Sequence, residues 1–134
     1  MEILYNIMNY KQVLIQQINN FIEEIYELFP THKDVILFRE KFGLLKSVNS
    51  QLIVEYFIQF IYPLKDSITK EDENFFIDGG GQEELKDKNG LNIRDNLKDL
   101  WQNHMSEDNK KIVWKYFKTF VLLCEKYILE NMEK

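Results

Sequence analysis

The stretch DENFFIDGGGQEELKDKNG, residues 72–90, places three consecutive glycines inside an acidic run, a composition that some phosphate-binding and calcium-binding loops share. A phosphate loop needs backbone N–H groups at a helix N-terminus and usually a lysine at a fixed offset. Here no strand is predicted before the glycines and no Gly-Lys-Ser/Thr follows them, and Glu83 and Glu84 would repel a phosphate. The sequence therefore disfavours a phosphate site.

A calcium loop of the EF-hand type fits the same stretch poorly. If it began at Asp72, Glu83 would supply the twelfth-position ligand, but Phe76 and Ile77 would occupy positions five and six, which need an oxygen ligand and glycine. We interpret the stretch as a hinge with an acidic surface, and such loops often carry contacts to a partner. The predicted partner-binding residues of this acidic segment are Asp78, Gly79, Gly80, Gly81, Glu83 and Glu84.

A second candidate surface lies near the C-terminus, where lysines recur at helical spacing. Lys111, Lys115 and Lys118 share one face of a predicted helix, and Trp114 lies beside them. Cations next to an aromatic ring are typical of surfaces that bind single-stranded nucleic acid by base stacking. The alternative, which the net negative charge favours, is a solvated outer face with Trp114 packed at its edge.

The remaining reactive residue types predict no catalytic residue, no cofactor and no metal site. Cys124 falls on an apolar helix stripe, where a core role is expected. His32 and His104 lie near helix ends and are predicted to be surface or capping residues, since they show no metal-ligand spacing; a shared metal site is the disfavoured alternative. Asp95 and Asp99 lie one turn apart and are interpreted as part of a solvated face, with metal binding or acid–base work as the disfavoured alternative.

Composition bounds the class of protein. The chain has 134 residues, of which 45% are hydrophobic and 29% charged, with a formal net charge of −5. These values indicate a globular protein and disfavour non-specific binding to nucleic acid. A single cysteine excludes an intrachain disulfide and fits a reducing compartment. The N-terminal residues do not read as a signal peptide, and no apolar run is long enough to span a membrane.

Hydrophobic periodicity predicts an all-α protein: one helical bundle of about five or six helices, formed by a single domain over residues 1–134, with a Gly-rich acidic loop. The first helix is predicted over residues 3–29, with Leu14, Phe21 and Leu28 on its inner face, and ends at Pro30. A second helix follows a Thr31 cap and has Val35, Phe38, Phe42 and Leu45 on its inner face. Residues 51–68 are apolar nearly all round, which indicates the central element, with Pro63 kinking or ending it. Further helices are predicted from Thr69 to about Ile77 and over residues 91–105, after a break at Asn89-Gly90. The last helix is predicted to follow a Ser106 cap, with Phe120 on its inner stripe.

Two segments resemble small uncharacterised helical proteins of large cytoplasmic DNA viruses of the mimivirus kind. They are KEDENFF, residues 70–76, and NKKIVWKYFKTFVLLCEKYI, residues 109–128. The resemblance covers about the C-terminal half of the chain and carries no site residues with it. It implies a viral origin, with the host cytoplasm or the virion as location.

The predicted function is a non-enzymatic protein–protein interaction module, in a viral setting a structural or host-directed factor. Its partner surface is expected on the acidic segment or on aromatic-rich helix faces that exceed what one small core can bury, which also favours oligomerisation. The alternative is a nucleic-acid accessory factor that uses the lysine and tryptophan face of the last helix.

Overall fold

The computed structural model describes residues 9–78 and 87–132, and within these ranges the chain is all α-helical. The predicted helical bundle is confirmed. Its α-helices are α1 (Tyr10–Leu28), α2 (Lys33–Asn49), α3 (Gln51–Tyr56), α4 (Lys65–Thr69), α5 (Asn74–Ile77), α6 (Ile93–Asn103) and α7 (Glu107–Met132). In the described ranges, no helix is both long enough and apolar enough to cross a membrane.

The long helices α1 and α7 pack along each other and form the frame of the bundle. α1 begins at Tyr10, because Asn9 has an extended backbone and its Oδ1 accepts a hydrogen bond from the Gln12 N–H at 3.2 Å. The predicted part of the helix before residue 9 lies outside the described residues. The predicted inner residues Leu14 and Phe21 are buried, whereas Leu28 at the end of the helix is exposed. Periodicity thus gave most of the inner face correctly, and the helix ends just before Pro30 as predicted.

The central segment confirms the predicted effect of Pro63. After α3, residues Phe57–Ile61 form a π-helical turn and Tyr62–Leu64 a 3-10 turn, before α-helix resumes at Lys65. A proline has no N–H and its ring crowds the preceding turn, so the regular hydrogen-bond pattern must change there. The Tyr62 N–H accordingly bonds to the Phe57 carbonyl, five residues earlier. The segment is largely buried, as predicted, with Ile53, Phe57 and Ile61 inaccessible to solvent.

The core contains most of the aromatic side chains, joined by edge-to-face and tilted contacts. Phe117 contacts Phe21, Phe75 and Phe76 with ring centroids 5.2–5.6 Å apart. Phe76 stacks on Trp101 with the ring centroids 4.3 Å apart. The short helix α5 is therefore anchored by two phenylalanines against α6 and α7. Among residues 9–78 and 87–132, the aromatic side chains do not form the exposed faces that composition suggested.

The connection between α5 and α6 contains the glycines and the second half of the acidic segment. Residues 79–86, and with them the predicted contacts Gly79, Gly80, Gly81, Glu83 and Glu84, lie outside the described residues. The predicted break at its end is present, because Gly90 has a φ of +66°. The Asp87 carboxylate stabilises this turn by accepting hydrogen bonds from the Asn89 and Leu91 N–H groups, at 3.1 and 2.8 Å.

Gly43 offers a direct test of helix propensity in α2. It lies on the exposed side of the helix, and a Cβ atom added there would have no atom within 4 Å. We expect Gly43→Ala to raise the free energy of unfolding by about 0.5–1 kcal/mol, because alanine loses less backbone entropy in a helix. Urea denaturation measures the change, and an unchanged or lower stability would contradict the described conformation of α2.

Candidate functional site

The acidic segment begins with a turn whose carboxylates bind the last helix. α4 ends in a Schellman motif, in which the Glu71 N–H bonds to the Ile68 carbonyl at 3.1 Å and the Asp72 N–H to the Ser67 carbonyl at 2.9 Å. Glu71 occupies the position that favours glycine, with a φ of +55°. Thr69, predicted to begin a helix, thus ends one. Lys118 Nζ lies 2.6 Å from Glu71 Oε2 and holds this turn against α7.

Two residues after Glu71, Glu73 forms a second contact, with α6 and α7. Its Oε1 accepts a hydrogen bond from the Trp101 indole N–H at 3.2 Å and lies 3.2 Å from Lys110 Nζ. The Lys110 ammonium group also lies over the Trp101 ring, 5.1 Å from its centroid. Glu71 and Glu73 are therefore paired with lysines of α7. Asp78, the last residue described before the glycines, is exposed.

The lysine face of α7 lacks the stacking residue predicted for it. Trp114 is only 4% exposed, and its ring contacts Phe76 and Trp101 at centroid distances of 5.1 and 5.2 Å. Trp114 is therefore not available as a base-stacking platform, because α5 and α6 cover that flank of α7. Its burial agrees with the favoured alternative, in which Trp114 packs at the edge of a solvated lysine face. Of the three lysines of the predicted face, Lys118 forms an ion pair with Glu71, while Lys111 and Lys115 are exposed.

Lys115 lines a polar groove between α1 and α7 with a volume of about 310 Å³. The groove also contains Tyr116 and Glu24. Partial burial, followed by a hydrogen bond to the Glu24 carboxylate, raises the pKa of Tyr116 to about 12. The phenol therefore stays protonated at physiological pH and acts as a hydrogen-bond donor rather than as a base.

Cys124 is a core residue, as predicted. It is inaccessible to solvent on the inner side of α7, and burial raises the pKa of its thiol to about 12. Because the thiolate is the nucleophilic form, this cysteine does not carry nucleophilic catalysis in the described fold.

An apolar stripe runs along the outer side of α2. It consists of Leu37, Leu44 and Val48, which are 50, 61 and 73% exposed. Their spacing of seven and four residues places them on one helix face, roughly opposite the buried Val35 and Phe42. α2 is thus apolar on two sides, whereas a surface helix normally has one apolar face and one polar face. We call these three residues the α2 stripe.

The two histidines, which the sequence separates widely, meet at one carboxylate. His32 Nε2 and His104 Nε2 lie 2.8 and 3.3 Å from the same oxygen, Asp99 Oδ2. The Asn103 side-chain amide donates to the other oxygen, Oδ1, at 2.7 Å. The hydrogen bonds from His32, the largest influence, and from Asn103 hold the pKa of Asp99 below its usual range, with smaller electrostatic effects of the two imidazoles.

His32 also begins α2. Its Nδ1 accepts a hydrogen bond from the Asp34 N–H at 3.2 Å, so His32 is the N-cap residue rather than Thr31, and the predicted capping role of this histidine is confirmed. His104 follows the last residue of α6. The cluster of His32, Asp99 and His104 therefore joins the start of α2 to the end of α6.

The chain matches no protein-family model, no curated protein and no solved structure. A functional surface is therefore inferred from the exposed side chains and contacts of the described residues.

Sequence reasoning missed the α2 stripe. It disfavoured a site shared by His32 and His104 and did not connect Asp99 with them. The stripe has a signal, since Leu37 and Leu44 lie outside the predicted inner face of α2, which consists of Val35, Phe38, Phe42 and Leu45. The cluster has almost none, because His32 and Asp99 are 67 residues apart and only the packing of α2 against α6 brings them together.

Proposed function

We propose that the chain is a non-enzymatic protein–protein interaction module that binds its partner through the α2 stripe. The observation that carries the proposal is the alignment of Leu37, Leu44 and Val48 over three turns of one helix. Single exposed apolar residues are common on protein surfaces, but an aligned set marks a contact surface more often.

The dimensions and surroundings of the α2 stripe suit a helical partner. From Leu37 to Val48 the stripe is about 16 Å long, at 1.5 Å per residue. The neighbouring Glu40 and Lys41 are exposed and offer one charge of each sign at the rim. An amphipathic helix that presents apolar residues at matching intervals would cover the three side chains and leave both charges in water.

The acidic segment and the lysine face are weaker candidates for the main contact. Glu71 and Glu73 are paired with Lys118 and Lys110, so binding through these groups would first have to break internal contacts. The nucleic-acid alternative loses its stacking group, because Trp114 is buried. Electrostatic attraction through Lys111 and Lys115 would remain, opposed by a net charge of −5.

The resemblance to helical proteins of large DNA viruses suggests where such a module would act. We propose a virion component or a host-directed factor, located in the host cytoplasm or in the virion. A second copy of the chain would also cover the α2 stripe, through formation of an oligomer.

Charge substitution in the stripe tests the proposal. We expect Leu44→Glu to weaken partner binding at least about tenfold, because a carboxylate would be buried in an apolar contact. Partners are captured from the native cell or virion with the purified chain, with and without nuclease, and their affinity is then measured by titration. Sedimentation over a range of concentrations measures self-association of the same variants.

The matched control is Leu122→Glu, the same substitution at a similarly exposed leucine on α7. Binding that survives nuclease, falls with Leu44→Glu and persists with Leu122→Glu supports the α2 stripe. Equal binding by Leu44→Glu and the unmodified chain would overturn the assignment of the surface. A partner that leaves with the nucleic acid would instead support the lysine face, with charge reversal at Lys111 and Lys115 as the next variant.

A further inference from the structure

We propose that His32, Asp99 and His104 form a binding site for a divalent transition-metal ion, with zinc as the best fit. This site is separate from the α2 stripe and goes beyond the interaction function. Its three side chains come from the start of α2, the body of α6 and the residue that follows α6. One ligand atom from each lies within 4.8 Å of the other two.

The distances suit a zinc ion after small side-chain movements. Zinc lies about 2.0–2.2 Å from nitrogen and oxygen ligands, so two ligand atoms of a tetrahedral ion are roughly 3.3 Å apart. Asp99 Oδ2 is already 2.8 Å from His32 Nε2 and 3.3 Å from His104 Nε2. The imidazole of His104 is 48% exposed, so it can rotate to bring its nitrogen closer to that of His32.

The chemistry of the ligands selects the class of metal. Two imidazole nitrogens and one carboxylate favour zinc, cobalt, nickel or copper, whereas magnesium and calcium prefer sites made of oxygen atoms alone. Three protein ligands leave a fourth tetrahedral position for water or for an added ligand. The site is accessible, since the Asp99 side chain is 47% exposed.

A neighbouring residue supports the orientation of the carboxylate. The Asn103 amide donates to Asp99 Oδ1, which turns Oδ2 towards the two imidazoles. Hydrogen bonds from residues around a metal site commonly fix its ligands in this way. Asn103 is thus a positioning residue and not a ligand.

Metal binding has a cost at His32. Its Nδ1 accepts the Asp34 N–H, so a neutral ring carries its proton on Nε2, which donates to Asp99. An ion at Nε2 requires that proton to move to Nδ1, and the capping hydrogen bond is then lost. A protonated imidazole must release a proton to the solvent before it can bind, so metal affinity falls as the pH falls.

Zinc titration of the full-length chain without an affinity tag tests the site. We expect saturable binding of one Zn²⁺ per chain by calorimetry, a higher Tm with Zn²⁺, and no comparable effect of Mg²⁺. Cobalt gives an independent readout, because its visible absorption reports a site of low coordination number with nitrogen and oxygen ligands. His104→Ala is expected to weaken Zn²⁺ binding at least about tenfold.

The control is Asp95→Asn, which removes the same charge one turn away on α6, while Asp99→Asn removes it within the cluster. The proposal requires Asp99→Asn and His104→Ala to lose zinc affinity and Asp95→Asn to retain it. His104 is half exposed, so its replacement leaves the core intact even if a variant of the capping residue His32 fails to fold. Absence of one-to-one zinc binding, or equal binding by His104→Ala, would overturn the site.

Discussion

Replacement of Phe76 by alanine is expected to lower the free energy of unfolding by about 3–5 kcal/mol, the range for removal of a fully buried aromatic side chain. Phe76 is inaccessible to solvent and contacts the rings of Trp101, Trp114 and Phe117 at centroid distances of 4.3, 5.1 and 5.2 Å. Alanine would leave a cavity at the point where α5, α6 and α7 meet. Urea denaturation, followed by tryptophan fluorescence, measures the loss.

Two further variants separate packing from a general effect of substitution. Phe76→Leu keeps most of the apolar volume and is expected to cost less than Phe76→Ala, although leucine loses the ring contacts. Leu44→Ala, at an exposed position of α2, is expected to change stability by no more than about 0.5 kcal/mol. If Phe76→Ala is as stable as Leu44→Ala, the described anchoring of α5 is incorrect.

Tyr56→Phe is the second substitution with a large expected effect. The Tyr56 hydroxyl accepts a buried hydrogen bond from the Ile93 N–H at 2.8 Å. Asn92 precedes this first residue of α6 but makes no side-chain capping bond. Removal of the hydroxyl leaves a buried N–H group without this acceptor, which costs about 1–3 kcal/mol.

A second tyrosine provides the matched control for that substitution. The Tyr127 hydroxyl accepts a hydrogen bond from the Gln51 side chain at 3.1 Å, in a partly buried position where water can replace it. We expect Tyr127→Phe to cost less than about 1 kcal/mol. If urea denaturation shows equal losses of unfolding free energy in the two variants, the buried hydrogen bond to Ile93 does not contribute more than the partly exposed one. A selective loss of amide-exchange protection at Ile93 in Tyr56→Phe would confirm its origin.

The lysine face of α7 shows how much of a binding surface residue type and helical spacing can predict. The lysines at positions 111 and 115 are exposed, as the helical period predicts. Trp114 lies next to them in the sequence but is buried, because α5 and α6 cover that flank of α7. The buried face of α7 is therefore wider there than the predicted inner stripe. Helical period gives the direction of a side chain from its own axis, but it does not tell how many other elements cover that direction.

By itself the sequence determined the helical class, the inner residues of the long helices such as Leu14 and Phe120, the Ser106 cap and the irregularity before Pro63. These features depend on interactions within a few residues, so a local pattern encodes them. Only the tertiary structure decided which helix covers Trp114 and which lysines pair with Glu71 and Glu73. It also decided that two histidines meet at Asp99. Such contacts join residues that are tens of positions apart, and they follow from how the helices pack and not from the period of any one helix.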